Sequence, residues 1–447
     1  MNIFKKSLLL LVACVACISA WAQIPIIKKY TFSDHSYLSR MSDNGKWAVT
    51  GAGSSDVACT PKLIDLTSGK STNIGSATND EITCDVNNDG SIVVGVCQHL
   101  PAYWSKADGQ WHKLELKSSR AENSLGTLVN GEAVAVTPDG KYAVGQVSPG
   151  SEYSFAPALW DLTTGKVIET PNLPKKDMAH IDQKQMRFES ISADGRYILG
   201  TMSPSYLPGS TEGDDEASLG GLFSFVYDTQ TQTYKVIGFK ESDTKRWTAD
   251  YDGCFVVDGA YMSNNGKWVT GACRIFRSTD EATDYYIPFL YDIANDKFTA
   301  FEDESTKANA AYAVTNDGSP IMSSPESSPY RNWYIYDGKR FWYSAQDAIS
   351  QRWGVDLLGS NSYENTGTAD NVSDDGKRII ATPTYLDGDS YVLDLPTTLS
   401  EVINDEVSML GSYTASPTEK AAVSALSKMT VTFTHSIKTV AVGNVVT

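Results

Sequence analysis

The sequence predicts an all-β chain: a seven-bladed β-propeller of four-stranded antiparallel blades, followed by a short C-terminal β extension. Three observations carry this. A turn phrase recurs seven times, apolar runs of strand length flank each copy, and an aromatic-Asp pair closes the third strand of most units. The phrase is first met as Ser42-Asp43-Asn44-Gly45-Lys46-Trp47 and last as Ser373-Asp374-Asp375-Gly376-Lys377-Arg378. Its glycines are Gly45, Gly90, Gly140, Gly195, Gly266, Gly318 and Gly376. Their spacing runs from 45 to 71 residues. It averages about 55, longer than the roughly 40–50 of known blade repeats, so the surplus belongs in loops.

Each element has a physical reason. Asp-Gly and Asn-Gly supply the positive φ that a tight hairpin turn demands. Before the turn stands a short apolar strand, as in Ala133 to Val136, and after it a second, as in Tyr142 to Val144. A third ends in Asp: Leu159-Trp160-Asp161, Val226-Tyr227-Asp228, Leu290-Tyr291-Asp292, Ile335-Tyr336-Asp337 and Val392-Leu393-Asp394. A polar turn such as Thr163-Thr164-Gly165-Lys166 leads to the fourth. Val, Ile, Tyr and Trp at these positions suit a pleated, half-buried surface. Trp47, Trp104, Trp160, Tyr227 and Tyr291 read as packing between blades.

The Ser-x-Asp-Gly-Lys-aromatic phrase with its aromatic-Asp strand end resembles the WD-like repeats of TolB-type propellers. The Val-Val-Gly endings are similar to the HAF-type repeats of exported bacterial proteins. The resemblance covers about residues 30 to 395. It implies a fold and is nearly silent on function, because such propellers serve as scaffolds, binding modules and occasional enzymes.

If the strand before Asp-Gly is innermost, both kinds of short turn share one face and the variable loops share the other. The largest loops are expected at Met202 to Gly221, Gly238 to Gly253, Ala272 to Tyr286 and Ser344 to Gly367. Six residues there are candidate ligand contacts: Trp247, Tyr251, Arg274, Arg277, Trp353 and Tyr363. The aromatics would stack on a sugar and the arginines would orient an anionic group. No convincing fourth strand follows Leu395-Pro396, whereas Ile24 to Phe32 is a spare strand ahead of the first unit. It is expected to pair into the last blade and close the ring.

The ends are read separately. Lys5 and Lys6, the apolar run Leu8 to Ile18 and Ala20-Trp21-Ala22 form a secretory signal over 1–22. Lipid anchoring at Cys14 is the alternative. The propeller is expected over 23–411, and 412–447 as an incomplete Ig-like segment or tail, with alternation in Met429 to Phe433. Localisation follows as periplasm, outer-membrane surface or extracellular space, with no transmembrane segment. The net charge of −17 repels phosphate backbones, so no nucleic-acid partner is expected. The five cysteines beyond the signal read as buried structural thiols, with room for one bridge.

Other motifs resolve into turns. Asp85-x-Asn87-x-Asp89-Gly90 opens like a calcium loop, but Val96 stands where the closing Glu belongs. Thr67-Ser68-Gly69-Lys70-Ser71 lacks the first glycine of a phosphate loop. The five histidines form no metal pair, and no G-x-S-x-G elbow occurs. No cofactor, metal or catalytic residue is assigned. The leading reading is an exported, non-catalytic propeller that binds a glycan or a protein. A lyase or glycoside hydrolase working in the central funnel is the alternative, marked by a funnel-facing cluster of carboxylates, His and Tyr. A structural spacer of a surface assembly is the third.

Overall fold

A computed structural model describes residues 25–34, 36–52, 59–76, 81–121, 125–150, 154–172, 181–204, 223–237, 253–256, 260–276, 285–301, 310–323, 333–336, 342–344, 349, 368–382, 389–401, 413–416 and 430–433. The described chain is almost wholly strand, and its sheets are antiparallel throughout. Six are four-stranded blades. Blade A holds Ser36–Met41, Trp47–Ala52, Lys62–Asp65 and Ser71–Asn73. Blade B runs from Glu81–Val86 to Gln110–Lys113, blade C from Asn130–Val136 to Lys166–Val167, and blade D from Ile181–Ile191 to Thr233–Val236. Blade F spans Ala310–Val314 to Trp342–Ser344. Blade G takes Thr368–Val372, Arg378–Thr382 and Ser390–Asp394, and its outer strand is Ile26–Tyr30.

The expectation of seven four-stranded blades is corrected between blades D and F. Sheet E has five strands, because its inner strand is divided into Gly253–Val256 and Tyr261–Met262, both paired to Trp268–Phe276. The cause is visible in the other blades. Each inner strand carries a register shift three residues before the turn Ser, Thr or Asn, at Ser39, Cys84, Val134, Glu189, Tyr312 and Asp370. A β-bulge bends a strand and leaves one residue unpaired. In sheet E the break falls at the corresponding place, around Ala260. Trp268–Phe276 and Tyr285–Asp292 extend into the region expected as a loop, so Arg274 sits on a strand, opposite Phe255 and Tyr286.

Ring closure follows the expectation. Ile26 to Tyr30 pair in register with Asp394 to Ser390. This first strand completes the last blade and covers the edge of Ser390–Asp394.

The repeated phrase organises the turn face. All seven turn glycines have φ between +67° and +88°. In blade D, Ser192 N–H donates to the Tyr197 carbonyl at 2.8 Å, and Tyr197 N–H returns to Ser192 Oγ at 2.9 Å. Asp194 accepts the Ser192 hydroxyl at 2.6 Å and Arg196 N–H at 3.0 Å. Thr137, Ser263 and Ser373 repeat the pattern, and Asn87 does so with its amide oxygen. These side chains are buried, so every polar atom needs its partner. The terminal Asp of the third strand acts alike on the second turn. Asp161 Oδ1 accepts Thr163 N–H at 2.8 Å, and Asp65 Oδ1 accepts Thr67 N–H at 2.9 Å.

Both turns lie on one face. The residue after the strand-ending Asp donates to the residue after the turn glycine, as Leu162 to Lys141 and Leu395 to Lys377. Neighbouring turns are tied across blades: Asn44 N–H to Asn88 Oδ1, Asn88 to Pro138, Ala193 to Asn264, Asn265 to Asn316, Asn316 to Asp374, and Asp374 to Asp43. Apolar clusters fill the spaces between sheets. Val49 and Leu63 of blade A meet Val86, Val93 and Trp104 of blade B, and Ile380 and Val392 of blade G meet Leu38 and Ile64 of blade A. Trp104, Trp160, Tyr227 and Tyr291 are buried there, and Trp47 covers Gly90 of the next blade.

Beyond the propeller, Tyr413–Ser416 pairs with Thr430–Phe433 in a two-stranded sheet. An Ig-like sandwich is not seen among the described residues. None of their helices is long and apolar enough to cross a membrane.

Candidate binding site in the central channel

Inner strands from the six blades and from sheet E line one cavity of about 250 Å³. The strand before Asp-Gly is therefore the innermost. At roughly 30 Å³ per water, the space equals about eight waters. The residues that follow the bulges face it: Arg40, Asp85, Ala135, Ser190, Ala313 and Asn371, with Tyr261 from sheet E. The bulge is thus the local device that turns these side chains toward the axis. Asp43 and Asn264 line the cavity from the turn face, where Asn264 Nδ2 reaches across to the Val372 carbonyl at 3.5 Å.

Three groups divide the wall. On blade D, Arg187 Nε pairs with Glu189 and donates to Thr201 Oγ1 at 3.1 Å, while Thr201 donates to Glu189 at 3.0 Å. The Arg187 guanidinium also lies over the Phe155 ring at 5.6 Å. Sheet E and blade F contribute Tyr261 and Tyr312, with ring centroids 6.0 Å apart. Blades A and B contribute Arg40, Asp43 and Asp85.

Both oxygens of Asp85 accept backbone N–H groups. Its Oδ1 accepts Val86 N–H and its Oδ2 accepts Val136 N–H of blade C, both at 2.9 Å. Asn371 makes the same kind of junction between blades G and A, accepting Met41 N–H at 3.2 Å. Burial pushes the Asp85 carboxyl up to about 6, against the lowering effect of Arg40 and the two N–H groups. Asp43 is pushed well above the ordinary range by burial, with repulsion from Asp85 and Asp374 adding to it. Cys84, at the bulge of blade B, donates to Glu132 at 3.2 Å. Burial foremost, and Glu132 next, hold its thiol well above its usual value, which makes it a poor nucleophile.

The described residues offer the central channel as a candidate site of its own. Trp247, Tyr251, Arg277, Trp353 and Tyr363 lie outside the described residues, and of Arg274 only the backbone is described. The channel set was missed because single residues spaced a blade apart carry no local pattern. The usable signal was position: each stands two residues before the turn Ser, Thr or Asn. Of the calcium-like triplet, Asn87 and Asp89 serve the turn, accepting Ile92 and Ser91 N–H, and Asp85 faces the channel. Gly69 is a turn residue at φ +73°. Among the described residues no His, Cys, Asp and Glu cluster could hold a metal ion. His99 sits in a hairpin turn, and His112 stacks on Tyr103 at the outer edge.

No protein-family model matches the chain, and no curated protein matches it. Solved structures do. Oligogalacturonate lyase from Vibrio parahaemolyticus aligns over 84% of this chain and 98% of its own, with TM-score 0.50 and 8% identity. The β-propeller domain of the trilobed protease from Pyrococcus furiosus aligns over 80% and 95%, with TM-score 0.46 and 10% identity. TolB from Acinetobacter baumannii aligns over 80% and 65%, with TM-score 0.37 and 14% identity. At such identities the likeness is one of fold, and the chain is a β-propeller.

Proposed function

We propose that this chain is an exported propeller that binds a small polar ligand in its central channel. Sheet E serves as the seventh blade, residues 1–22 as the export signal, 23–411 as the propeller and 412–447 as a separate β segment. The periplasm, outer-membrane surface or extracellular space is its place of action. One observation carries the binding reading: the axis holds a cavity walled by both charges and two tyrosines, where a purely structural ring would close on small apolar side chains. Polar groups converging in a concave site are the ordinary signature of recognition. The rim residues Trp247, Tyr251, Arg277, Trp353 and Tyr363 would extend that site toward a larger glycan or a protein partner.

A thermal-shift screen of residues 23–447 tests this, with sugars, sugar acids and amino acids compared on wild type and Ser190→Phe. Ser190 lines the cavity, and the phenyl ring would fill it. Ligands that raise the wild-type melting point and leave Ser190→Phe unmoved support the channel. Equal shifts in both proteins would place binding elsewhere.

The second reading is a funnel enzyme of the lyase or hydrolase class, and the channel carboxylates favour it. Against it, both oxygens of Asp85 accept backbone N–H groups and Glu189 is held by Arg187 and Thr201, so each of these carboxylates already has a structural role. Turnover of any bound sugar acid, seen as product by mass spectrometry, would reverse this ranking.

A further inference from the structure

Arg40 and Arg187 both line the channel, yet their surroundings differ. Arg187 is committed to Glu189 and Thr201. Arg40 has no side-chain hydrogen bond or ion pair among the described residues, although it lines the cavity and is half-buried. A guanidinium presents up to five donors in a planar fork, which suits a carboxylate held by two parallel bonds.

Resting on the channel-binding reading above, we propose that the ligand is a small organic carboxylate, clamped through its carboxyl group by Arg40, with its body against Tyr261 and Tyr312. Size limits the body to about that of a sugar acid or an amino acid, given the cavity of about 250 Å³. Specificity for the anion comes from Arg40, because the other channel cation is already paired.

The acids around Arg40 make binding proton-linked. Asp85 and Cys84 face it from blade B and Asp43 from its own turn, with Asp374 of blade G behind Asp43. Across the cavity stand Arg187 and Glu189, whose charges offset one another. A bound carboxylate takes over the Arg40 charge that favours ionised Asp85 and Asp43, and adds its own repulsion. Both acids are then held protonated, so the complex takes up protons and binding strengthens as pH falls.

Titration calorimetry on residues 23–447 with glucuronate, acetate and glucose, at pH 5.5 and pH 7.5, tests this. Glucuronate is expected to bind at least tenfold more tightly than glucose. Its affinity is expected to fall about threefold or more between the two pH values. Arg40→Gln should lose at least tenfold in glucuronate affinity while keeping the wild-type circular dichroism. Arg40→Lys, which keeps the charge without the fork, should fall between. Equal affinity for glucuronate and glucose, or an unaltered Arg40→Gln, would overturn the carboxylate assignment. If neutral ligands still bind wild type and fail on Ser190→Phe, the channel reading stands and only the Arg40 proposal is lost. If nothing discriminates wild type from Ser190→Phe, the channel reading itself is lost.

Discussion

Replacing Gly145 by Ala should destabilise the propeller, against the usual sign for a glycine in a strand. Gly145 pairs with Ala133 at the bulge of blade C, where the register slips between Ala133 and Ala135. The slip brings the Glu132 carbonyl so close that a Cβ on Gly145 would stand 2.0 Å from its oxygen. Ordinary contact is about 3.5 Å, so the inner two strands would have to part by about 1.5 Å. Such overpacking costs about 1–3 kcal/mol, while the lower entropy of the unfolded alanine chain returns about 0.5–1. The net expectation is a loss of about 1–2 kcal/mol, because the obstacle is backbone and cannot rotate away. A Cβ on Gly95 would stand 1.9 Å from the Ile82 carbonyl oxygen, so this position should respond alike. Gly165→Asn is the control. That turn glycine has nothing near its Cβ position, and Gln232 and Asp296 hold the equivalent positive φ in blade D and sheet E. It should change stability by less than about 1 kcal/mol. Urea unfolding midpoints decide the matter. A Gly145→Ala protein as stable as wild type would refute the bulge account.

Three further outcomes are expected. Ser192→Ala removes the acceptor of Tyr197 N–H in a buried turn and should cost about 1–2 kcal/mol by urea unfolding, whereas Ser192→Thr keeps the bond and should cost little. Asp85 has a folded-state value near 6, above that of the unfolded chain, so its ionisation opposes folding. Stability from this group is fully present below about pH 4 and is lost as pH rises through 6. Asp85→Asn should flatten that part of the stability profile in melting scans from pH 4 to 7. Deleting residues 23–30 removes the strand that pairs with Ser390–Asp394 and exposes a strand edge, so the shortened protein should melt earlier and aggregate in light scattering.

Much of this fold was legible because its turns have strict chemistry. Asp-Gly at five places and Asn-Gly at two located the inner hairpins, and the strand-ending Asp residues located the second turns. The spare N-terminal strand was legible from the absence of a partner after Leu395. The bulges were not, since their signal lies in the glycine that ends Val-Val-Gly, whose constraint is a carbonyl from another strand. For the same reason the divided inner strand of sheet E escaped notice: Ala260-Tyr261 resembles Val134-Ala135 in sequence. The site was the least legible part. Aromatics in the expected loops carry a local signal in the sequence, whereas Arg40, Asp85, Arg187, Tyr261 and Tyr312 meet only once the ring closes.

The most direct test of the account is a crystal structure of residues 23–447 with glucuronate bound. The account predicts the ligand on the propeller axis, its carboxylate within hydrogen-bond distance of the Arg40 guanidinium and its ring beside Tyr261 and Tyr312. A ligand bound on the outer face of the blades, with the channel holding only water, would contradict it.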